Sequence, residues 1–339
     1  MRGLGTARRW SRALARAVRR RSARGIVLLY HRVAGPRFDP LMLDVSPSTF
    51  ADHLALLRTE ATVLPLGEFE ERRRAGRLPE RAVAITFDDG YADNLLTAVP
   101  LLRAADLPAT IFVTAGMVDG SGEFWWDDVE RVAFAAHPLA GGMPESGISW
   151  MAEGSLPVHD PSWNIFAPGT HTPRQHLFLS LCEGLRSLPP AERDARVSAL
   201  RRWAAVPARG RESHRAVTRA ELRALAATPG ITIGAHSLTH PVLSAQPAVV
   251  QREELAASRA QLAAWTGTPV SCAAYPFGMA GDVSATTVRA ARAAGFRAAC
   301  ANVAGPAWRW SSAWRVPRYL VRDWDAELFA RHLQRWWTE

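Results

Sequence analysis

The sequence contains no lysine, and all 41 of its basic residues are arginine, against 32 acidic residues. Nine of these arginines lie in residues 1–24, which hold no acidic residue, so the charges of the remaining chain balance. A protein that binds nucleic acid across its fold carries a basic face or groove. The balanced body excludes that class, and we expect no nucleic-acid partner.

Long apolar runs and cysteines are also scarce. No apolar run reaches the roughly 18 residues of a spanning helix, and the N-terminus lacks the apolar core and cleavage site of a secretory signal. The three cysteines, Cys182, Cys272 and Cys300, lack metal-ligand spacing and are typical of reduced thiols. We therefore expect a cytoplasmic protein with one large domain or two.

The N-terminal segment, residues 1–24, has its own pattern. Trp10, Leu14 and Val18 recur at i, i+4 and i+8 among arginines, which predicts a basic amphipathic helix over residues 7–24. Such a helix can lie on an anionic membrane surface. Peripheral contact with the inner membrane face is therefore one expectation, and a solvated arm is the other.

Apolar strands alternate with helices through the rest of the chain. Strands are predicted from Gly25 to His31, over 83–87 and from Ala109 to Thr114, which implies parallel βα units. This rhythm breaks at about 115–217 and then resumes. We interpret the break as a long insertion after the third strand, at the carboxyl end, where substrate-shaping loops lie.

The domain boundaries follow from this pattern. The main domain spans residues 25–322, and residues 323–339 form a closing helix. Within the insertion, Trp125 and Trp126 are interpreted either as a platform for sugar rings or as packing of the insertion itself.

One predicted strand ends in two carboxylates, Asp88 and Asp89, followed by Gly90. Neighbouring strand residues point in opposite directions, so the two carboxylates can have different roles if the backbone turns at the glycine. The alternative is a simple Asp-Gly turn.

A second polar cluster follows the predicted strand at 231–235. His236 and His240 are four residues apart, and on a helical turn this spacing places both imidazoles on one side. With one carboxylate of the aspartate pair they would form a metal site with open positions, and the other carboxylate could act as a general base. Non-haem iron oxygenases share this ligand set. The strand-end positions and the additional aspartate disfavour that class.

These stretches carry a family resemblance. Residues 86–90 (TFDDG), 236–240 (HSLTH) and 275–278 (YPFG), in that order, resemble the first three motifs of the polysaccharide deacetylases, the NodB-homology group or carbohydrate esterase family 4. Residues 29–33 (LYHRV) are similar to the first strand of the branch that acts on exopolysaccharides.

The resemblance covers about residues 25–114 and 218–322. It implies an α/β fold, a distorted (β/α) barrel of the NodB-homology type. It also implies metal-dependent hydrolysis that removes an N-acyl group from an amino sugar of a polysaccharide or glycan precursor. The N-acetyl group is the main candidate. An N-acetylated glycan is then the expected partner.

Site roles carry over by motif position. Asp88 would be the base that activates water, and Asp89, His236 and His240 would hold a divalent metal, usually Zn²⁺. The metal and a backbone N–H near Tyr275 would stabilise the oxyanion. Substrate contacts are expected from Tyr275, Pro276, Phe277, Trp125 and Trp126.

Two departures from the family pattern concern the partners of Asp88. The family often has an arginine in the third motif, where this chain has Ala274, and we expect Arg318 to supply that guanidinium instead. The motif with the general-acid histidine has no match. His31 is the preferred substitute, and His332 is a weaker one.

Two further functions remain open at this stage. One is a deformylase or deacetylase of a lipid-linked sugar at the inner membrane face, which the basic arm favours. The other is a carbohydrate-binding homologue without activity, because the arginine and acid motifs are missing.

Overall fold

The computed structural model describes residues 24–35, 38–120, 122–136, 139 and 160–339. The amphipathic helix predicted over 7–24 lies outside this part of the chain, except for its last residue. None of the helices in the described ranges combines the length and apolar character needed to cross a membrane.

Eleven strands are seen in the described ranges. They are β1 Arg24–Tyr30, β2 Arg32–Val33, β3 Asp44–Val45, β4 Thr62–Val63, β5 Ala82–Phe87, β6 Ala109–Val113, β7 Ile231–Ala235, β8 Cys272–Ala274, β9 Ala298–Cys300, β10 Ala307–Trp308 and β11 Tyr319–Leu320.

Ten α-helices accompany them. They are α1 Pro47–Glu60, α2 Leu66–Arg74, α3 Val99–Ala105, α4 Trp125–Ala133, α5 Pro173–Arg186, α6 Pro190–Trp203, α7 Arg219–Ala227, α8 Ala248–Thr266, α9 Ala285–Ala293 and α10 Ala326–Thr338. A π-helical turn, Asn94–Ala98, precedes α3.

The main sheet runs in the order β10-β1-β5-β6-β7-β8-β9, and its neighbours from β1 to β9 are parallel. Parallel strands buried on both faces are continuously apolar. In β1, Ile26 and Leu28 pack with the surrounding helices, whereas Val27 faces an inner cluster that also holds Ala84 and Phe112. The α/β barrel expected from the sequence is confirmed.

The barrel closes through residues 316–320. Val316 bridges to Cys300 at the end of β9, and β11 pairs in parallel with β1. The segment therefore contains one isolated bridge and one two-residue strand. This segment spans the gap between the two ends of the sheet and carries Arg318 into the barrel.

Residues between β6 and β7 form helices α4 to α6 with their own apolar core. Phe124, Trp126, Phe178 and Leu200 belong to this second cluster. Its side chains reach the carboxyl ends of the strands, where Asp88 and His236 lie, so the cluster forms one wall above the barrel mouth.

Candidate metal and acid–base site

The two aspartates lie where β5 ends and the backbone turns. Asp88 still donates its N–H to the Tyr30 carbonyl of β1, at 3.0 Å. Asp89 and Gly90 then adopt positive φ angles of 72° and 83°. A Cβ on Gly90 would lie 3.0 Å from Val113 Cγ1, so the close approach to β6 also favours glycine. Both carboxylates are buried, at 3% exposure each.

The two histidines lie on a loop rather than on a helical turn, which corrects the geometry predicted from their spacing. Ser237 and His240 have φ angles of 61° and 56°, and Ser237 Oγ accepts the N–H of His240 at 3.0 Å. The loop folds back on itself, so both imidazoles still reach the same point. Their ring centroids are 4.9 Å apart.

Three groups hold this histidine loop in shape. Glu254 on α8 accepts the N–H groups of Leu238 and Thr239, both at 2.8 Å. Arg193 on α6 donates to the carbonyls of His240 and Thr239, at 3.0 and 2.8 Å. The N–H of Gly116 donates to the Leu238 carbonyl at 2.7 Å. The barrel and the insertion therefore both fix the loop.

Asp89, His236 and His240 fit a divalent metal. Asp89 Oδ1 lies 3.5 Å from His236 Nε2 and 3.3 Å from His240 Nε2. Ligand atoms about 2.0–2.1 Å from a tetrahedral zinc ion are roughly 3.3–3.4 Å apart. His236 Nδ1 donates to the Ala274 carbonyl at 2.9 Å, which leaves Nε2 free to bind an ion.

Two of the three groups, Asp89 and His240, are held in the protonation states that metal binding requires. Burial opposes ionisation of Asp89, but its hydrogen bonds with His236 and His240 outweigh that and hold its pKa well below the usual range. Burial lowers the pKa of His240 to about 4, so this imidazole is neutral at pH 7. Burial also favours neutral His236, but Asp88 and Asp89 raise its pKa.

Asp88 is bound at both oxygens by Arg318. Arg318 Nη1 and Nη2 donate to Asp88 Oδ1 and Oδ2, each at 2.7 Å, and Arg318 is fully buried. Its Nε donates to the Ala301 carbonyl. Burial raises the pKa of Asp88, but Arg318 and His236 together lower it below the usual value. The segment directly before β11 thus brings the Arg318 guanidinium to Asp88, as expected from the sequence.

The two histidines considered as general acids lie in different places. His31 lines the same cavity as Asp88 and Asp89, and its Nδ1 is buried without a partner in the described chain. His332 on α10 stacks on Trp324 at 4.1 Å and does not line that cavity. Only His31 therefore has access to the groups of the site.

The residues from the third motif divide between core and cavity. Tyr275 is 1% exposed, and its hydroxyl donates to the Trp314 carbonyl at 3.1 Å. Its N–H donates to the Cys300 carbonyl, so this N–H is not available to an oxyanion. Pro276 is also buried outside the cavity lining. Phe277 alone lines the cavity, 4.9 Å from the His240 ring.

Trp125 and Trp126 line the cavity with one edge but are mostly packed in the insertion, at 8% and 5% exposure. Trp126 lies 4.7 Å from the His240 ring, and its indole N–H donates to Tyr91 Oη at 2.9 Å. An open platform for sugar rings, as considered from the sequence, is not what the structure presents. In this geometry Trp126 packs against the ring of His240, and Trp125 packs against Trp126.

The cavity above the metal and acid–base groups has a volume of about 380 Å³. Its polar floor is formed by the aspartates and histidines. The walls are largely apolar and come from the loop before β3 and from the insertion, with Leu41, Leu43, Ile165, Phe178 and Leu179.

Sequence reasoning missed Glu254 and Arg193. A signal existed for Glu254, because Gln251, Glu254 and Ser258 recur at helical spacing on a face that is buried in the structure. No comparable signal marked Arg193, because its helix also carries Arg196, Arg201 and Arg202, and no local pattern distinguishes one of these arginines from the others.

Sequence comparisons relate this chain to deacetylases. The family model described as polysaccharide deacetylase matches residues 75–140 and 206–299. Poly-β-1,6-N-acetyl-D-glucosamine N-deacetylase of Escherichia coli strain K12 is 30% identical over 96 residues, which are 28% of this chain and 14% of the relative. The Staphylococcus aureus MSSA476 protein of that name is 36% identical over 75 residues, 22% of this chain and 26% of the relative. The chain thus spans only a small part of these relatives.

Solved structures share the fold over nearly the whole chain. Streptococcus pyogenes deacetylase PplD in complex with acetate has a TM-score of 0.59 at 15% identity and covers 92% of this chain and 99% of that one. IcaB from Ammonifex degensii has a TM-score of 0.57 at 19% identity, with 93% and 97% covered. These structural likenesses show the fold. The family match, together with the motifs at 86–90, 236–240 and 275–278, shows that the chain belongs to the polysaccharide deacetylase family.

Proposed function

We propose that the protein is a metal-dependent hydrolase that removes an N-acyl group from an amino sugar of a glycan. The N-acetyl group is the main candidate. The observation that carries this proposal is the pairing of Asp88 with Arg318 directly beside the Asp89–His236–His240 ligand set. A metal site alone supports several chemistries. An ionised, oriented carboxylate next to it is the arrangement that hydrolysis by water requires.

Asp89, His236 and His240 would hold the metal. When bound, a divalent ion such as Zn²⁺ supplies polarisation of the acyl carbonyl and a lowered pKa for water. The protein's part is to fix the three donor atoms in place, and Glu254 and Arg193 do so through the backbone of the histidine loop.

Asp88 takes the proton of the attacking water, whose oxygen bonds to the amide carbon. Arg318 keeps Asp88 ionised and fixes the orientation of its carboxylate group through both oxygens. The carboxylate therefore accepts the proton without first reorienting. The C–N bond then breaks, and the products are the carboxylic acid and the free amine of the sugar.

The departing nitrogen needs a proton, and we assign His31 as its donor because His31 lines the same cavity as Asp88 and Asp89. Burial lowers the pKa of His31, although Asp89 and Asp88 oppose this effect. A buried imidazole with a lowered pKa is a strong acid once protonated, which suits transfer to an amine. In a His31→Gln variant we expect at least a tenfold fall in kcat at unchanged metal content, and normal turnover would remove His31 from the mechanism.

The proposal is tested by acetate release from N-acetylglucosamine oligomers with the full chain. Activity should disappear with a chelator and return with Zn²⁺. Asp88→Asn should abolish turnover and still bind Zn²⁺, whereas Asp106→Asn, an exposed control, should leave turnover unchanged. Glycan binding without acetate release under all of these conditions would instead identify a carbohydrate-binding homologue.

The apolar walls of the cavity favour a second candidate function, hydrolysis of an N-acyl sugar that carries a lipid. The cavity wall includes Leu41, Leu43 and Leu179. Burial of an alkyl chain against these side chains is favourable, whereas a polar oligosaccharide has little apolar surface to bury there. Octyl and methyl glycosides of N-acetylglucosamine separate the two candidates. A higher kcat/KM for the octyl compound supports the lipid-bearing substrate, and equal values support the glycan.

A further inference from the structure

A second group of ligand-type side chains lies on the other side of Trp126 from the catalytic cavity. Asp127 and Glu130 come from α4, and His214 comes from the short turn Glu212–His214. One donor atom from each lies within 4.8 Å of the others. Trp126 lines both cavities, so it separates this group from His240.

Asp44 of β3 faces the same small cavity, which is also lined by Asp127, Glu130 and His214. Its side chain is more than nine-tenths buried, and its Oδ1 has no hydrogen-bond partner in the described chain. The free volume of the cavity is about 10 Å³, which is room for one water-sized species. An unpartnered carboxylate oxygen thus faces a space that one ion would fill.

Carboxylates outnumber arginines among the described residues that line this cavity. The carboxylates are those of Asp39, Asp44, Asp127 and Glu130, and the arginine is Arg32.

Arg32 already forms ion pairs with two aspartates. Arg32 pairs with Asp93 at 3.0 Å and with Asp44 Oδ2 at 3.4 Å. Glu130 finds a partner outside the lining, Arg211, at 2.6 Å. Burial, together with neighbouring carboxylates, raises the pKa of Asp44 to about 8 despite the opposing effect of Arg32. Buried charges are normally paired or bound to a metal, and in the described chain no cationic side chain donates a hydrogen bond to Asp44 Oδ1.

We propose that a divalent transition-metal ion, Mn²⁺ or Zn²⁺, binds between Asp127, Glu130 and His214, with Asp44 as a further ligand. Carboxylate oxygens with one imidazole nitrogen suit these ions, whereas Ca²⁺ and Mg²⁺ take oxygen ligands. His214 Nδ1 is 2.9 Å from Ser213 Oγ, so Nε2 is the nitrogen that binds the ion.

The site joins three segments that are distant in sequence. Asp44 belongs to β3, which pairs with β2 in a small sheet outside the barrel, Asp127 and Glu130 belong to α4, and His214 belongs to the segment that leads into α7. Asp127 also accepts the hydroxyl of Tyr91 at 2.8 Å, and Tyr91 accepts the indole N–H of Trp126. An ion here would fix Trp126 against His240 without taking part in the chemistry.

Metal stoichiometry tests this site independently of any enzymatic activity. The full chain is stripped with a chelator, dialysed against Mn²⁺ or Zn²⁺, and its metal content is measured. We expect two equivalents in the wild type and one in a His236→Ala/His240→Ala double variant. One equivalent in the wild type and none in the double variant would overturn the proposal.

Variants at the second site complete the test. His214→Gln should reduce two equivalents to one, and His176→Gln, an exposed control in the insertion, should keep both. Two equivalents in His214→Gln would assign the second ion elsewhere. If His214→Gln does not fold, pulsed EPR of Mn²⁺ in the double variant decides: a coupled imidazole nitrogen supports the site, and its absence overturns it.

Discussion

Arg318 and Asp88 are 230 residues apart in the chain, yet they share two hydrogen bonds of 2.7 Å inside the barrel. Thr86 Oγ1 lies 3.3 Å from the same guanidinium, so the arginine contacts the strand that carries the aspartate. The segment that closes the barrel therefore also completes the acid–base pair.

Replacing Arg318 should slow turnover more than it weakens metal binding. Arg318→Lys keeps a charge but loses the planar pair of donors, and we expect kcat to fall about 100-fold because the carboxylate is misplaced. Because Arg318 lowers the pKa of Asp88, the acid limb of kcat/KM should move to higher pH. Arg331→Lys, on the exposed face of α10, is the control. An unchanged acid limb would contradict a role for Arg318 in orienting Asp88.

The groups that hold the histidine loop should control metal affinity. Arg193→Ala and Glu254→Ala remove hydrogen bonds to the loop backbone, and we expect each to weaken Zn²⁺ binding by about 10- to 100-fold. Isothermal titration with Zn²⁺ measures this. Arg196→Ala, at a half-exposed position of α6, and Glu253→Ala, at an exposed position of α8, should leave the affinity unchanged. Equal affinities in all four variants would show that the loop holds its shape alone.

Gly116 should be intolerant of a side chain. A Cβ at this position would lie 2.5 Å from the Leu238 carbonyl oxygen, so Gly116→Ala must push the histidine loop away from β6. We expect a loss of about 1–3 kcal/mol in the free energy of unfolding and weaker Zn²⁺ binding. Gly122→Ala, where a Cβ meets nothing within 4 Å, is the matched control. Similar melting curves for both variants would be evidence against the clash.

Stability should fall as the pH drops below about 6.5, the ordinary histidine pKa, partly because of His53. This side chain is fully buried, its Nε2 donates to the Trp324 carbonyl at 2.7 Å, and burial lowers its pKa. The unfolded chain then binds a proton that the folded state does not, which costs up to about 1.4 kcal/mol per pH unit.

Urea denaturation between pH 7 and 5 measures this effect. His53→Gln should show a shallower loss of stability with falling pH than the wild type, and His176→Gln, at an exposed position, should match the wild type. A wild-type slope in His53→Gln would mean that His53 titrates alike in the folded and unfolded chain.

Local patterns in the sequence predicted much of the fold. Thr218 and Glu221 have capping-box spacing in the sequence and form that box at the start of α7, and β1, β5 and β6 occur where continuous apolar runs predicted them. These features depend on residues close in the chain. The helical turn predicted for His236 and His240 was wrong, because hydrogen bonds from Glu254 and Arg193 impose a loop that the spacing alone could not reveal.

The sequence by itself determined that polar groups end the apolar strands, because strand burial and turn preference depend on residues that are close together in the chain. It therefore indicated Asp88, Asp89, His236 and His240 together. Only the tertiary structure decided which groups surround them. Arg318 reaches Asp88 because the barrel closes through 316–320, and Tyr275 leaves the site because its hydroxyl bonds in the core. Both outcomes depend on contacts between segments far apart in the chain, which no local pattern encodes.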